Sequence, residues 1–412
     1  MTREEKKYDC IVIGGGPSGM MAAIQAKKRG KKVLLIERNK KLGIKLLLTG
    51  NGRCNLSCSE KNNKNFAMNF GKKGDFLLSP FSVFGTKETF DFFEENGLPL
   101  NIESNGKVFP KSNKAKDVLD VLKNLLEGVD ILYGRTVKGF DVKNKTIKNI
   151  LLDNGAELEA KSYVLCAGGK SFPSTGSDGS GFSLAEKTGH TIISAVPGLV
   201  PMRIAQEWVK KLMGITMKDA LISFYVDDKK IIKDRGSILF THFGITGPVI
   251  LNASNEIGGC IDKKIRIEID LFPDKNIDEL KRDIFTLVDE NKNRSIKNII
   301  NLYFSEKLLL TILKLCEIDY NKKGREVKKE EISRICNFVK KVELVFGGLG
   351  GFDISMATNG GVSLGEIDSK TMRSKIINNL YFAGEVIDTI GRTGGYNLQM
   401  CWTTGYVAGN SC

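Results

Sequence analysis

The chain is poor in the residues from which most metal sites are built. Only two of its 412 residues are histidines, His190 and His242, too few for a histidine-based metal centre. The nine cysteines are odd in number and scattered from Cys10 to Cys412, and no two pairs have zinc-ligand spacing. This pattern favours free thiols in a reducing compartment and predicts no metal site.

Long hydrophobic runs are also missing. No stretch approaches the roughly 18 consecutive apolar residues that a membrane span needs. The first residues, MTREEKKYDCIVIGGG, mix acids and bases and lack the apolar segment and cleavage site of a secretory signal. We therefore expect a cytoplasmic protein with no membrane partner.

The third absence is an arginine-rich or basic–aromatic tract, although the net charge is +14. The lysines are spread along the chain, with acids close to most of them, as in KKEEISR and DKNIDELKRD. Such dispersal is typical of a solvated surface rather than a nucleic-acid footprint. The sequence thus predicts a small-molecule partner, disfavours nucleic acid and leaves the oligomeric state open.

The first forty residues contain a complete dinucleotide-binding pattern. Tyr8–Ile13 is an apolar run typical of a buried parallel strand, and Gly14–Gly19 then fits G-x-G-x-x-G. The pattern predicts a helix over Met20–Arg29 and a second strand over Lys32–Ile36, which ends at Glu37. All the parts appear in order, so the segment predicts a bound dinucleotide.

Each residue of this pattern has a physical task. Gly14 permits the tight turn, Gly16 lets the backbone approach a pyrophosphate, and Gly19 lets helix and strand pack closely. The helix N-terminus offers free N–H groups to the phosphates. Glu37 would accept hydrogen bonds from ribose hydroxyls and disfavours a 2′-phosphate, which leaves FAD or NAD.

Three further segments favour FAD over NAD. The glycine- and amide-rich loop 41–55 is unneeded by a plain NAD domain and could run along an extended cofactor. The apolar strand at 162–169 ends in small residues, a pattern typical of FAD domains in which the backbone passes close to the cofactor. Near the C-terminus, a strand ends at Glu385, which could hold ribityl hydroxyls, and the glycine turn at 394–399 leads into a helix that could face the flavin ring.

Several longer strings resemble those of the BaiN-like flavoprotein family, which includes aminoacetone-oxidase-like enzymes and a bile-acid-pathway flavoprotein. They are TGNGRCN, THFGITGP, NGGVSLGEID, LYFAGEVID and TGGYNLQMCWTTGYVAG. The resemblance covers essentially the whole chain. It implies FAD contacts at Gly14, Gly16, Ser18, Gly19, Glu37, Arg38, Lys45, Thr49, Gly50, Arg53, Cys54, Asn55, Val137, Ala167, Gly168, Gly384, Glu385, Asn397, Leu398 and Gln399.

The order of these segments indicates an interrupted domain of α/β class. The glycine pattern and the last parallel strand lie at opposite ends of the chain, yet both must meet on one cofactor. We therefore expect a Rossmann-like FAD-binding domain whose first part is 1–196, interrupted by a β-rich, barrel-like insert at 197–275 and a small helical insert at 276–340. Residues 341–412 then return to the FAD-binding domain.

Candidates for catalysis are fewer than candidates for cofactor binding. Tyr396, beside the flavin turn, could donate a proton to a substrate carbanion, or its hydroxyl could be structural. Arg53 could stabilise a negative charge, although FAD contact is the simpler account, and His242 could reach a substrate or be a turn residue. A redox disulfide between Cys54 and Cys58 is disfavoured by their spacing.

These observations predict an FAD-dependent oxidoreductase. The leading hypothesis is a reductase of an activated C=C bond that takes electrons from NAD(P)H, with a hydrophobic enone such as a 3-oxo bile acid or steroid as the substrate that the resemblance implies. The alternative is an amine oxidase of aminoacetone-like substrates that produces hydrogen peroxide. Two further hypotheses are an RNA-binding flavoprotein and a non-enzymatic flavin sensor.

Overall fold

The computed structural model describes residues 7–412. Its strands are β1 Tyr8–Ile13, β2 Val33–Glu37, β3 Ser57–Cys58, β4 Leu100–Ile102, β5 Lys107–Pro110, β6 Asp130–Tyr133, β7 Val137–Lys143, β8 Thr146–Leu152, β9 Glu157–Leu165, β10 Ile192–Gly198, β11 Met202–Ile204, β12 Thr216–Val226, β13 Lys229–Phe240, β14 Gly244–Thr246, β15 Ile265–Asp270, β16 Val342–Leu349, β17 Ala357–Val362 and β18 Leu380–Phe382.

The α-helices alternate with these strands in the first part of the chain and cluster later. They are α1 Pro17–Lys28, α2 Ile44–Leu48, α3 Asn63–Met68, α4 Gly74–Val83, α5 Thr86–Glu95, α6 Ala115–Leu125, α7 Ser180–Glu186, α8 Glu207–Lys210, α9 Pro248–Ile257, α10 Ile277–Glu290, α11 Ile296–Ile299, α12 Glu306–Leu315, α13 Lys329–Lys340 and α14 Tyr396–Ser411.

The described chain divides into two compact units. The first contains the residues up to Gly198 together with Phe352–Cys412, and the second is Leu199–Gly351. The first unit holds a seven-stranded sheet in the order β6-β2-β1-β9-β8-β7, with β18 also paired to β9. β6, β2, β1, β9 and β18 are parallel neighbours, and β7 and β8 add an antiparallel edge.

The sheet explains why the first strands are almost entirely apolar. β1 and β2 lie inside the sheet, and all residues of β2 are buried. A parallel sheet with helices on both faces hides each strand from water on both sides, so the strand needs no polar alternation. The glycine turn follows β1 directly, which places it at the carboxyl edge of the sheet, where ligands bind in such folds.

The second unit contains a closed antiparallel barrel in the order β11-β14-β13-β12-β15-β16. Helices α10 to α13 contribute to the same hydrophobic core as the barrel, with Ile284, Leu309 and Ile335 buried beside Phe224 and Ile267. The predicted fold class, a Rossmann-like domain interrupted by barrel-like and helical segments, is confirmed. The barrel is completed by β16, which follows the helices in sequence. The predicted domain boundaries, 1–196, 197–275, 276–340 and 341–412, remain predictions.

Helices α1 and α14 pack with almost no space between their backbones. A Cβ added to Gly409 of α14 would lie 2.3 Å from the carbonyl oxygen of Ala22 in α1. A Cβ at this distance would force the two helices apart, because a backbone carbonyl cannot move aside as a flexible side chain can. The absence of side chains at such glycines is what lets α14 close on the first βα unit.

We expect Gly409→Ala to lower the free energy of unfolding by roughly 1–3 kcal/mol, the usual effect of overpacking. Thermal unfolding checks this, with Gly139→Ala in β7 as the matched control, since a Cβ there meets nothing within 4 Å. Equal melting temperatures for the two variants would contradict the proposed close packing.

Candidate functional site: a cleft at the carboxyl edge of the parallel sheet

A cleft of about 890 Å³, part of it open to solvent, lies at the carboxyl ends of β1, β2 and β9. Every residue that lines it comes from the first unit. Ten predicted cofactor contacts line it: Gly14, Gly16, Ser18, Glu37, Arg38, Lys45, Val137, Ala167, Gly168 and Glu385. The structure thus brings together residues that are separated by more than 370 positions in sequence.

The glycine turn is built by close backbone contacts. Gly14 has a φ of +108°, and a Cβ there would lie 2.4 Å from the carbonyl oxygen of Cys166. A Cβ at Gly19 would lie 1.8 Å from the carbonyl oxygen of Gly14, so α1 begins against the turn itself. Gly16 differs, because a Cβ there meets no atom within 4 Å and would point into open space. The close packing of the protein therefore requires glycine at positions 14 and 19, whereas Gly16 leaves room for a ligand.

Glu37, at the end of β2, is buried and held in a fixed position. Its Oε2 accepts a hydrogen bond from the backbone N–H of Gly15 at 2.8 Å, and its Oε1 accepts from the backbone N–H and side-chain amide of Asn39 at 2.7 and 2.8 Å. A carboxylate has about two acceptor sites on each oxygen, so Oε2 retains capacity for a further donor. The carboxylate is therefore pre-organised to accept a hydrogen bond from a hydroxyl group in the cleft.

Arg38 borders the same part of the cleft. Its guanidinium donates to the carbonyl oxygen of Gly176 at 3.2 Å and forms an ion pair with Asp178 at 2.6 Å. Burial acts to raise the pKa of Asp178, but the hydrogen bonds from Arg38 and Ser180 outweigh it, so the pKa lies below its ordinary value. The pair keeps Arg38 in a defined position beside the glycine turn.

At the other end of the cleft, Lys45 and Glu385 form a half-buried ion pair of 2.7 Å. Ser171 connects both partners, because it lies 2.9 Å from the Lys45 ammonium and donates to Glu385 at 2.6 Å. The backbone N–H of Thr358 donates to the same carboxylate at 2.7 Å. These contacts fix a carboxylate and an ammonium group side by side on the cleft wall.

The cleft also contains an unsatisfied polar group. Among residues 7–412, the side-chain oxygens that are buried without a hydrogen-bond partner are those of Ser177 and Thr389. Ser177 lines the cleft, next to Gly168. Native proteins rarely leave a buried hydroxyl unpaired, so a polar ligand is the simplest partner for it. The open space at Gly16, the orphaned hydroxyl and the two carboxylates fit a dinucleotide.

The loop after α2 lies outside the cleft lining. Arg53 donates to Glu103 at 2.5 Å and to Asn113 at 2.9 Å, and its guanidinium lies 3.9 Å from the centre of the Phe109 ring. The other predicted contacts from this loop are Thr49, Gly50, Cys54 and Asn55, and none lines the cleft. Their roles in cofactor binding remain predictions.

Cys54 and Cys58 are both free thiols. Burial raises the pKa of Cys54 to about 12, and it raises that of Cys58 as well. A buried thiol with a raised pKa is a poor nucleophile. The environment of the two residues therefore agrees with the sequence interpretation, which disfavours a redox disulfide here.

The turn before α14 is held by side chains for which the family resemblance implies FAD contacts. The Asn397 side chain accepts from the backbone N–H of Gly391 at 2.9 Å and donates to its carbonyl oxygen at 3.0 Å. Gln399 is buried and donates to Thr89 at 2.6 Å. These side chains thus order the protein itself. Gly19, Gly384, Asn397, Leu398 and Gln399 lie outside the lining of the cleft.

Tyr396 begins α14 within an aromatic cluster. Its ring centre lies 4.8 Å from that of Phe66 and 6.4 Å from that of Phe70. Burial raises the pKa of Tyr396 well above its ordinary value, and the adjacent Cys58 raises it further. The hydroxyl therefore stays protonated at neutral pH, as a proton donor must.

His242 lies elsewhere, in the second unit, in the connection between β13 and β14. It is exposed, and its ring meets the edge of Phe243 at 4.8 Å. The structure does not place it among the residues of the cleft. This location supports its interpretation as a turn residue.

Several polar residues of the site carried no signal in the sequence. Ser171, Ser177 and Thr358 lie in ordinary loop or strand contexts, and their roles arise from contacts across the fold. The contact of Asn39 with Glu37 is the one that local sequence could have indicated. Asn39 follows Glu37 by two residues, and at this spacing an asparagine side chain can hydrogen-bond to a neighbouring residue.

Residues 7–412 contain neither a metal-binding cluster nor a helix that could span a membrane. No group of three or more His, Cys, Asp or Glu side chains is arranged to hold a metal ion. In the same part of the chain, no helix has both the length and the hydropathy needed to cross a membrane.

The fold and the cleft define a Rossmann-type, FAD-dependent oxidoreductase. The chain belongs to the HI0933-like family: the family model described as "HI0933-like protein Rossmann domain" matches residues 8–411. The predicted membership of the BaiN-like flavoproteins is confirmed, as is the predicted enzyme class.

Comparison with known proteins gives full-length matches. The chain is 31% identical over 410 residues to the 3-dehydro-bile acid delta(4,6)-reductase of Clostridium scindens, covering 97% of this chain and 98% of that protein. It is 28% identical to the ribosomal RNA dihydrouridine synthase of Haemophilus influenzae, covering 96% of each. Among solved structures, a flavocytochrome c3 fumarate reductase aligns over 100% of this chain and 78% of its own, with a TM-score of 0.54 and 16% identity, which shows the fold alone.

Proposed function

We propose that this chain is an NAD(P)H-linked reductase of a C=C bond conjugated to a carbonyl group, acting on a hydrophobic enone such as a 3-oxo bile acid or steroid. The observation that carries the proposal is the full-length similarity to a bile acid delta(4,6)-reductase. The reaction adds two hydrogens across the double bond: NAD(P)H and one proton are consumed, and NAD(P)⁺ and the saturated ketone are formed.

FAD would be held along the cleft from Glu37 to Glu385. Glu37 would accept hydrogen bonds from the ribose hydroxyls, and the open face at Gly16 and the start of α1 would receive the pyrophosphate. Lys45 and Glu385 would contact the part of the cofactor beyond the pyrophosphate. Bound FAD supplies the hydride transfer that protein side chains cannot perform.

Tyr396 would supply the proton. Reduction of an enone leaves negative charge on the α-carbon and the carbonyl oxygen, and a positioned acid is needed to protonate the carbon. The Phe66 and Phe70 rings pack against the tyrosine ring and hold it in place. Tyr396 is not among the residues that line the cleft, so in this proposal the substrate would approach it from the cleft side, where apolar surroundings would suit a flat hydrophobic molecule with few polar atoms.

We expect Glu37→Ala to weaken FAD binding by roughly 10- to 100-fold, since each charge-assisted hydrogen bond contributes about 1.5–3 kcal/mol. The variant also removes the acceptor that holds the Gly15 N–H. Flavin released on dilution measures the effect. Glu159→Ala, which removes an exposed acid from β9 of the same sheet, is the matched control. If both variants retain FAD equally, Glu37 has no role in binding it.

The reaction itself is tested by product analysis. FAD-loaded protein is incubated anaerobically with NADH or NADPH and a 3-oxo-4-ene steroid, and the product is examined by mass spectrometry. We expect a gain of two hydrogens, stoichiometric with the nicotinamide oxidised. If the nicotinamide is not oxidised and the steroid is unchanged, the proposal fails for this substrate class.

A second candidate is reduction of a uridine in ribosomal RNA, which a full-length relative performs by name. The net charge of +14 favours it, but the charge is not concentrated in the second unit: Leu199–Gly351 holds 27 basic and 22 acidic residues, leaving +5, and the rest of the chain holds the other +9. Such dispersal is not the pattern of a nucleic-acid footprint. Mass analysis of ribosomal RNA after incubation with protein and NAD(P)H separates the candidates, since the second predicts dihydrouridine.

A further inference from the structure

Two cysteines that the cofactor site does not use lie in contact at the opposite end of the parallel sheet. Cys10 belongs to β1, and Cys412 follows α14 directly. Their Sγ atoms are 3.3 Å apart, and both are free thiols. A disulfide bond is about 2.05 Å long, so the two sulfurs must approach each other by a little more than about 1 Å to form one.

The surroundings of the pair favour oxidation of Cys412 before Cys10. Cys412 is 6% exposed and lines a pocket that also contains Lys31 and the Lys161–Asp9 ion pair, whereas Cys10 is fully buried. The contact with Cys10 lowers the pKa of the Cys412 thiol, and the charge of Lys31 lowers it further, against the effect of burial. The thiolate is the form of cysteine that reacts with peroxide, so a lowered pKa and contact with a pocket both favour Cys412 over Cys10.

We propose that Cys10 and Cys412 are a reversible oxidation site that hydrogen peroxide converts to a disulfide. The Cys412 thiol loses its proton, and its sulfur attacks one peroxide oxygen, which breaks the O–O bond and gives a sulfenic acid and hydroxide; the hydroxide takes up the released proton and becomes water. The Cys10 sulfur then attacks the Cys412 sulfur, and its proton leaves with the sulfenic oxygen as water. Two thiols and one peroxide thus give one disulfide and two waters; the sulfurs are oxidised and the peroxide is reduced.

The disulfide would join β1 to the end of α14, and both of these elements border the cofactor cleft. β1 leads into the glycine turn, and α14 packs along α1, where a Cβ at Gly405 would lie 2.3 Å from the carbonyl oxygen of Ser18. These contacts hold α14 against α1. It would restrict separation of α14 from the first βα unit, and FAD would leave more slowly.

The test uses the FAD-loaded protein before and after treatment with hydrogen peroxide. Free thiols are alkylated and the protein is digested; we expect a disulfide-linked peptide pair containing Cys10 and Cys412, which dithiothreitol separates. Recovery of both cysteines in the alkylated form, under conditions that oxidise Cys412 in Cys10→Ser to its sulfenic acid, would overturn the proposal. So would disulfides that connect either residue to another cysteine.

The effect on the cofactor has its own readout. We expect FAD release from the oxidised protein to be about threefold slower or more, because a cross-link restricts opening. Cys412→Ser should show no response to peroxide, whereas Cys260→Ser, which removes a partly exposed thiol of the second unit, should respond as the wild type does. Disulfide formation with an unchanged release rate would overturn the link to the cofactor, and neither measurement depends on the substrate of the enzyme.

Discussion

Gly16→Val is expected to yield a folded protein that retains no FAD. The backbone at Gly16 has φ −81° and ψ −174°, an extended conformation that any residue adopts, so valine causes no backbone strain. Its side chain would occupy the open space above the start of α1. In our account this space belongs to the pyrophosphate, whose loss removes several charge-assisted hydrogen bonds, so we expect affinity to fall by about 100-fold or more.

The control for this variant is Gly365→Val. Gly365 is also a glycine without positive φ, and a Cβ there makes only an ordinary contact of 3.8 Å with Ser363. Circular dichroism and thermal unfolding of apo protein should be similar for both variants, and flavin absorbance should be lost only in Gly16→Val. Normal flavin content in Gly16→Val would show that the cofactor does not pass over this turn.

Tyr396→Phe is expected to lower the rate of enone reduction by about 10²- to 10⁴-fold, the usual contribution of a general acid. The change removes only the hydroxyl, and the ring can keep its contacts with Phe66 and Phe70. FAD content and the rate of flavin reduction by NAD(P)H should therefore be unchanged. This combination separates a proton donor from a residue that only supports the cofactor turn.

Tyr406→Phe is the matched control for Tyr396→Phe. Tyr406 lies in the same helix, α14, and its ring stacks on Phe84 at 4.3 Å. We expect wild-type rates from this variant in both half-reactions. If Tyr396→Phe reduces the enone as fast as the control does, the proton comes from water or from another residue.

Local patterns allowed the first βα unit to be predicted closely. The strand predicted over Tyr8–Ile13 has these bounds in the structure, and the helix predicted over Met20–Arg29 is observed as Pro17–Lys28. Both follow from rules that act over a few residues: a buried parallel strand is continuously apolar, and glycines mark the turn. The predicted acid at the end of the second strand, Glu37, lines the cleft.

The remainder of the site depends on contacts between distant segments. Lys45 and Glu385 are 340 residues apart in sequence, and Ser171 joins them from a third segment. Lys45 and Glu385 were each predicted to contact the cofactor, but a single sequence carries no signal for the contact between them or for the part that Ser171 plays in it. The closure of the barrel by β16 was likewise hidden, since a helical segment separates this strand from the others.

The central claim, that this flavoenzyme is a reductase of conjugated C=C bonds, is tested most directly by stopped-flow reoxidation. The bound flavin is reduced anaerobically with NADH or NADPH and then mixed with a 3-oxo-4-ene steroid or with oxygen; a parallel sample is reduced with aminoacetone. We predict reduction by the nicotinamide and faster reoxidation by the enone than by oxygen. Reduction by the amine with fast reoxidation by oxygen, and no reaction with the enone, would contradict the claim and identify an oxidase.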